Sequence, residues 1–271
     1  MPSKPKLGQN FLRDLQAVER IVAGLGDLTD RTVVEIGPGA GAITGSLASR
    51  AKHIIAVEFD HDLALHLRVQ FPAEKVTVVE QDVLNFDFSA ALAEYGSPGE
   101  RFCVVGNLPY YITSPILFKL AASHASLDRA VLMVQREVAD RITAEPHSSD
   151  YGVLSVTTQV YGPAASMFTL PPESFSPPPD VHSTVFRWRF APRFAELNIQ
   201  EAPFIRFVRM AFAQKRKTLS NNLRAAGYAP AEITAALESA GIPPQARAET
   251  LTIDSFAALA KTLTPSEASA Q

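Results

Sequence analysis

The stretch VVEIGPGAGAIT, residues 33–44, starts as an apolar strand, turns through Gly37, Gly39 and Gly41, and continues as the helical pattern AITGSLASRA. Glycine lets a backbone turn sharply and lets a ligand approach bare peptide groups. The helix that follows offers unsatisfied N–H groups and the positive end of its dipole, a place for an anionic or carboxylate-bearing ligand. Gly37, Gly39 and Ala42 also fit a dinucleotide-binding fingerprint loosely. A tight turn serving the chain alone would use the same glycines. What stands at the neighbouring strand ends decides between the two.

Outward from this turn the chain alternates strand and helix patterns. TVVEI (32–36), HIIAVE (53–58), KVTVVE (75–80), FCVVG (102–106) and AVLMVQ (130–135) are short runs rich in Val and Ile, and DLALHLRVQF repeats its apolar residues at helical spacing. Such an order predicts a mostly parallel sheet covered on both faces. A rigid proline-rich loop, PPESFSPPPD (171–180), leads into one alternating strand, HSTVFRWRF (182–190). Beyond Pro192 the strand signal stops, and PFIRFVRMAFAQ, KTLSNNLRAAG, PAEITAALESAG and IDSFAALAKTL read as short amphipathic helices ending near Gly or Pro. The expected organisation is an α/β domain over 1–195 and a small all-helical domain over 196–271, with TPSEASAQ at the end expected to fray.

Composition narrows the class. Hydrophobic residues make up 46% of 271, enough for a sizeable core, and no apolar run reaches the ~18 residues of a membrane span. The first residues, MPSKPKLGQNFLRD, lack the apolar centre of a secretory signal, so a cytoplasmic protein is expected. Cys103 is the single cysteine, so an internal disulfide and a cysteine zinc site are both excluded, and no metal is expected. Charge is unevenly spread. Residues 1–186 carry 14 basic and 21 acidic residues, net −7; residues 187–224 carry nine and two, net +7; the remainder is net −3.

Two acids sharpen the reading of the glycine turn. Glu58 ends the second strand and Asp82 follows the third, where doubly wound sheets bind ligands. A carboxylate at the first place can accept both ribose hydroxyls of an adenosine, and one at the second can accept from an adenine amino group. The fourth strand runs into FCVVGNLPYY (102–111). An exocyclic adenine amino group is a poor nucleophile because its lone pair is delocalised into the ring. Two acceptors gripping its N–H bonds favour a pyramidal nitrogen with the lone pair aimed outward. Asn107 supplies one acceptor, and a backbone carbonyl at Leu108 or Pro109 the other, with Pro109 stiffening the chain. Tyr110 would stack on the base, a contact worth ~1–3 kcal/mol. No strong base is required, because the nitrogen becomes acidic as it gains a methyl.

GPGAG, Glu58, Asp82 and NLPY together resemble the S-adenosylmethionine-dependent adenine-N6 methyltransferases. LGQNFL (7–12) and FSPPPDVHS (175–183) narrow the resemblance to the rRNA adenine dimethyltransferases, and AFAQKRKTLSNNL (211–223) with RAETL (247–251) to their small-subunit branch. The likeness runs over nearly the whole chain, although Ser220 stands where the family commonly has a basic residue. It implies a Rossmann-like methyltransferase sheet with Asn10, Leu12, Gly37, Gly39, Glu58, Asp82 and Asn107 around S-adenosylmethionine. It implies further that Asn107, Leu108, Pro109 and Tyr110 hold the target base while Phe175 flanks it from the other side. The implied substrate is a pair of adjacent adenines in the 3′-terminal hairpin of small-subunit rRNA, within an immature 30S particle, each dimethylated; nothing in the sequence demands more than a monomer.

Other readings share parts of this pattern. A nicotinamide dehydrogenase would use the sheet and glycines but gives no reason for NLPY. A DNA adenine methyltransferase more usually carries Pro-Pro-Tyr and a large recognition domain. A large-subunit rRNA methyltransferase of the macrolide-resistance type is nearer, with KRKTLSNNL against it. A mainly non-catalytic factor clamping immature subunits is a reading of another class, which the intact site argues against. In each RNA reading the basic block supplies the contact, through Arg206, Arg209, Lys215, Arg216, Lys217 and Arg224 on two short helices. Buried helices would not hold so many unpaired cations.

Overall fold

The structure, a computed structural model, describes residues 10–263. The start of the LGQNFL motif and the TPSEASAQ end lie outside them. The chain forms two compact units. The first holds residues up to Ala139 together with Pro163–Ala191; the second holds Asp140–Gly162 and the chain from Pro192 onward. The division is therefore not a single cut at 195/196, because the segment 140–162 joins the helices that follow Pro192.

The first unit is built on a seven-stranded sheet. Its strands are β2 (Thr32–Ile36), β3 (His53–Glu58), β4 (Val76–Glu80), β5 (Phe102–Asn107), β6 (Leu127–Gln135), β7 (Ala164–Leu170) and β9 (Ser183–Arg189), in the order β4-β3-β2-β5-β6-β9-β7. The first five pair in parallel, and β9 runs antiparallel to both β6 and β7. Every residue of β2 and all but the first of β3 are buried, the near-continuous apolar run expected of a sheet covered on both faces. Strand order reverses between β2 and β5, and ligands bind doubly wound sheets at the carboxyl ends of strands flanking such a switch. Two short strands, β1 (Phe11–Leu12) and β8 (Phe175–Ser176), form a separate antiparallel ribbon.

The helices of this unit begin where the sequence supplies caps. Asp14 caps α1 (Leu15–Gly24), Asp60 caps α3 (His61–Gln70) and Asp87 caps α4 (Phe88–Tyr95), each carboxylate accepting from two backbone N–H groups. α2 (Ala42–Ala48) starts from Gly41 in the left-handed region, where a Cβ would come within 2.9 Å of the Phe71 ring. α5 (Thr113–Ala122) follows the NLPY segment. Residues of α1 and α2 and the inner residues of the sheet make one apolar core with Leu12 and Phe175.

The chain passes from the first unit to the second within α6 (Arg136–Thr143), and the second unit adds α7 (Val153–Val160), α8 (Glu201–Ala211), α9 (Leu219–Ala225), α10 (Pro230–Ser239) and α11 (Ile253–Thr262). The sequence VLSVTTQV of α7 is rich in β-branched residues and carries no helical signal; burial of Ser155, Val156, Thr157, Thr158 and Val160 holds it helical. Tyr161 donates to Glu201 at 2.7 Å and meets Phe194 edge to face, tying that segment to α8. No described helix is long and apolar enough to cross a membrane.

Candidate active site

The ends of β2, β3, β4 and β5 surround a cavity of about 280 Å³ in the first unit. All the residues expected around a cofactor, Asn10, Leu12, Gly37, Gly39, Glu58, Asp82 and Asn107, line it, as do Leu108, Pro109 and Tyr110. The glycine turn forms its floor. Gly37 and Gly39 have φ of 62° and 57°, in the left-handed region that side chains rarely adopt. At Gly39 a Cβ would also meet the Phe11 ring at 2.9 Å, so glycine is required for the turn to pass beneath β1. A third glycine is fixed by the sheet itself: a Cβ on Gly106 would lie 2.7 Å from the Ile36 carbonyl.

Glu58 is 3% exposed, and its carboxylate accepts from the Gly39 and Asp60 backbone N–H groups, both at 3.0 Å. Each oxygen keeps a second lone-pair site, so the group anchors the glycine turn and still offers acceptors to a diol. Asp82 accepts from Leu84 N–H at 2.9 Å through one oxygen, Oδ1, which orients the side chain at the cavity wall. These are the features an adenosine needs, and the apolar Ile36, Val57, Val83 and Leu84 beside them suit a purine face.

The NLPY segment is held from two directions. The Asn107 side chain contacts the Asn10 carbonyl at 2.8 Å. A carbonyl can only accept, so this contact fixes Nδ2 as the donor and leaves Oδ1 as acceptor. The Pro109 carbonyl already accepts from Thr113 Oγ1 at 3.0 Å and from Ile112 N–H at 3.2 Å. Among the described residues nothing donates to the Leu108 carbonyl, while the Leu108 N–H is bound to Met133 O. Of the two carbonyls left open by the sequence, Leu108 is therefore the one with acceptor capacity to spare. Tyr110 shares a hydrogen bond of 2.6 Å with Ser183, and burial pushes its phenol above the ordinary range.

Phe175 is placed differently from the sequence expectation. It does not line the cavity; it is 3% exposed, in the apolar core, and pairs antiparallel with Leu12, which does line it. The ring packs in the core behind the β1–β8 ribbon. The two ends of the FSPPPDVHS motif thus support the site from behind, Phe175 through Leu12 and Ser183 through Tyr110.

Several lining residues escape a reading of the sequence alone. Phe59 is 62% exposed and Tyr111 64%, both unusual for large apolar rings, and both line the cavity. An aromatic placed directly after a strand-end acid is the available signal for Phe59. Glu35 is the other omission. It is 1% exposed at the cavity floor and accepts from Thr44 Oγ1 at 2.6 Å. Burial, with the nearby charge of Glu58, raises its carboxyl to about 7 from the ordinary 4.5, despite the Thr44 bond. Below about 7 the folded chain keeps a proton that the unfolded chain releases from about 4.5 upward. Stability is then greatest below about 4.5, falls as pH rises through about 7, and levels off above. The expected difference is on the order of 3 kcal/mol. Urea unfolding across this range should show the slope in the parent and a flatter profile in Glu35→Gln; equal slopes would assign the pH dependence elsewhere.

The six expected RNA contacts all lie in the second unit and are all exposed. Arg206 and Arg209 are on α8 and Arg224 is on α9, but Lys215, Arg216 and Lys217 are in the loop between them, not on a helix. The reason is local. The buried Asn222 amide donates to the Ala211 and Gln214 carbonyls, ending α8, and Thr218 caps α9 by accepting from Asn221 N–H. The Lys215 ammonium donates to Ser149 O, and Arg247 donates to Lys215 O at 2.6 Å, so the loop is pinned at both its side chain and its backbone. Ser220, the departure from the family pattern, donates to the Pro244 carbonyl at 3.2 Å. Among the described residues no cluster of His, Cys, Asp and Glu could hold a metal ion.

Residues 2–265 match the family described as "Ribosomal RNA adenine dimethylase". A protein of Acidobacterium capsulatum named ribosomal RNA small subunit methyltransferase A is 55% identical, over 96% of this chain and 91% of its own. Its namesake from Koribacter versatilis is 48% identical, over 94% and 93%. The solved structure of the 23S rRNA methyltransferase ErmE superposes with a TM-score of 0.70 at 27% identity, over 94% of this chain and 99% of that one. A dimethyladenosine transferase from Plasmodium falciparum gives 0.78 at 22% identity, over 92% and 95%, a likeness of fold.

Proposed function

The chain belongs to the ribosomal RNA adenine dimethylase family, and from that premise we propose that it methylates N6 of two adjacent adenines in the 3′-terminal hairpin of small-subunit rRNA, giving dimethyladenosines. It is an S-adenosylmethionine-dependent methyltransferase, and the cavity residues fit that cofactor. Gly37 and Gly39 leave bare backbone for its amino-acid end, Glu58 offers acceptors to its ribose, and Asp82 stands where an adenine amino group can donate. Bound there, it supplies an electrophilic methyl group on a positively charged sulfur.

What the chain's own residues do is position a nucleophile. The observation that carries this reading is the Asn107 amide, whose Nδ2 is committed to Asn10 O and whose Oδ1 is left to accept from the target amino group. The Leu108 carbonyl is the second acceptor. Tyr110, its hydroxyl held by Ser183, presents a ring for the base to stack on. Positioning of this kind can supply ~7–11 kcal/mol of the barrier. The target base must leave its stack to reach the cavity, and a single-stranded or looped base gives up least in doing so.

Arg206, Arg209, Lys215, Arg216, Lys217 and Arg224 supply backbone contacts to the RNA, read as shape and charge instead of sequence. We place the activity in the cytoplasm, on immature 30S particles, with the protein acting as a monomer; the same binding serves as a checkpoint in subunit assembly. The nearest competing substrate is large-subunit rRNA. Against it stand the KRKTLSNNL stretch and an identity of 55% to a small-subunit enzyme compared with 27% to ErmE. The test is to incubate the protein and S-adenosylmethionine with unmethylated small subunits and map reverse-transcriptase stops. Stops at two neighbouring adenines near the 3′ end are expected. Modification of large-subunit RNA alone, or none on either, would overturn the assignment.

A further inference from the structure

The basic run 187–224 does not stay together in the fold. Arg193 is tied to Glu196 and Asp254, and six others belong to the helices and loop described above. Arg187 and Arg189 are instead on β9, in the sheet unit. Side chains at 185, 187 and 189 share one face of the strand. Val185 is buried in the core that α1 covers, whereas Arg187 and Arg189 are exposed on that same face. In register, Arg189 stands opposite Arg129 on β6, and Arg187 lies between Val131 on β6 and Ala165 on β7.

Further arginines lie beside this pair. Asp128, 19% exposed, is the carboxylate for Arg129, Arg31 and Arg101 together. Arg20, exposed on α1, lies 3.7 Å over the ring of Phe168, the residue paired with Val185. Three guanidinium groups thus share the one Asp128 carboxylate. Among the described residues, Arg20, Arg187 and Arg189 take part in no ion pair. Like charges placed directly opposite each other weaken a sheet, so the Arg129–Arg189 pair is a cost to the isolated fold. Two residues along a strand span about 6.6 Å, comparable with the separation of successive phosphates on a nucleic-acid strand. Guanidinium groups also pair with phosphate oxygens in a bidentate fork.

We propose that this arginine face of the sheet unit, centred on Arg187 and Arg189, is a second surface for rRNA backbone phosphates, additional to the cations of the helical unit. The inference rests on the reading of the chain as an rRNA methyltransferase. The face lies at the start of β6 and the end of β9, whereas the cavity lies at the opposite, carboxyl ends of the parallel strands. Its contribution is therefore to substrate affinity and not to the chemical step.

The test uses the full chain with Arg187→Gln and Arg189→Gln together, titrated against unmethylated small subunits over a salt series. The log–log slope should fall by up to about two units. KM for subunits should rise, with kcat, S-adenosylmethionine affinity and thermal melting unchanged. The Lys215→Ala, Arg216→Ala, Lys217→Ala variant should show its own, additive loss of slope. Arg187→Lys with Arg189→Lys should restore most of the slope, because phosphate attraction survives where a packing role would not. An unchanged slope in the glutamine pair, or a loss that lysine fails to restore, would overturn the proposal. If the parent protein binds no small-subunit RNA at all, the functional reading itself fails, a separate result from a loss confined to the sheet variants.

Discussion

Replacing Asn107 with alanine should lower the single-turnover methylation rate by orders of magnitude while leaving affinity for small subunits close to the parent value. The size of the effect follows from what the side chain does twice. Its Nδ2 donates to the Asn10 carbonyl, next to β1, while in the proposed mechanism its Oδ1 accepts from one N–H of the target amino group. Losing the grip leaves the nitrogen lone pair delocalised and the amine unaimed, so the effect falls on the chemical step. Because Asn107 also lines the cofactor cavity, the rate must be measured at saturating S-adenosylmethionine. Near-parent turnover under that condition would remove Asn107 from the mechanism. Tyr110 provides an internal control. Tyr110→Phe keeps a ring and loses only the Ser183 hydrogen bond, so it should retain most of the rate that Tyr110→Ala loses.

Glu58→Ala should weaken S-adenosylmethionine binding by about 1–3 kcal/mol, the range for removing a charged acceptor from paired donors. The structure adds a second consequence. With the carboxylate gone, the N–H groups of Gly39 and Asp60 lose their acceptor, and the glycine turn loses its anchor to β3. Calorimetry with the cofactor gives the loss, and Glu58→Gln should recover little of it, since an amide turns a donor toward at least one of those N–H groups. Unchanged cofactor affinity in Glu58→Ala, or tight binding of a nicotinamide dinucleotide by the parent, would refute the adenosine site.

The strands are legible because their signal is local. Runs such as TVVEI and HIIAVE are buried on both faces, and their β-branched residues, bounded by turn residues, match β2 and β3 in full. α7 and β7 are not legible. VLSVTTQV has the composition of a strand and is helical because five of its side chains are buried within the helical unit. AASMFTL is an edge strand whose mixed exposure leaves no clean alternation. The place of the segment 140–162 is hidden for a related reason: no composition shift marks where α6 carries the backbone from one unit into the other.

For the site, the order of residue types along the chain was enough to bring the candidates together. Glycines after one strand, acids after the next two and NLPY after the fourth line one cavity, because parallel strands bring their carboxyl ends to one edge whatever the loops between them do. Tertiary structure alone decided which carbonyl of that segment is free, since Thr113 and Ile112 occupy Pro109 and leave Leu108. It alone placed Phe175 in the core against Leu12, and it divided one basic run between a strand of the sheet unit and the helices and loop of the second unit. These depend on pairings between residues far apart in the chain. A local pattern of period 2 or 3.6 states which face a side chain takes, and carries no information about what lies against that face.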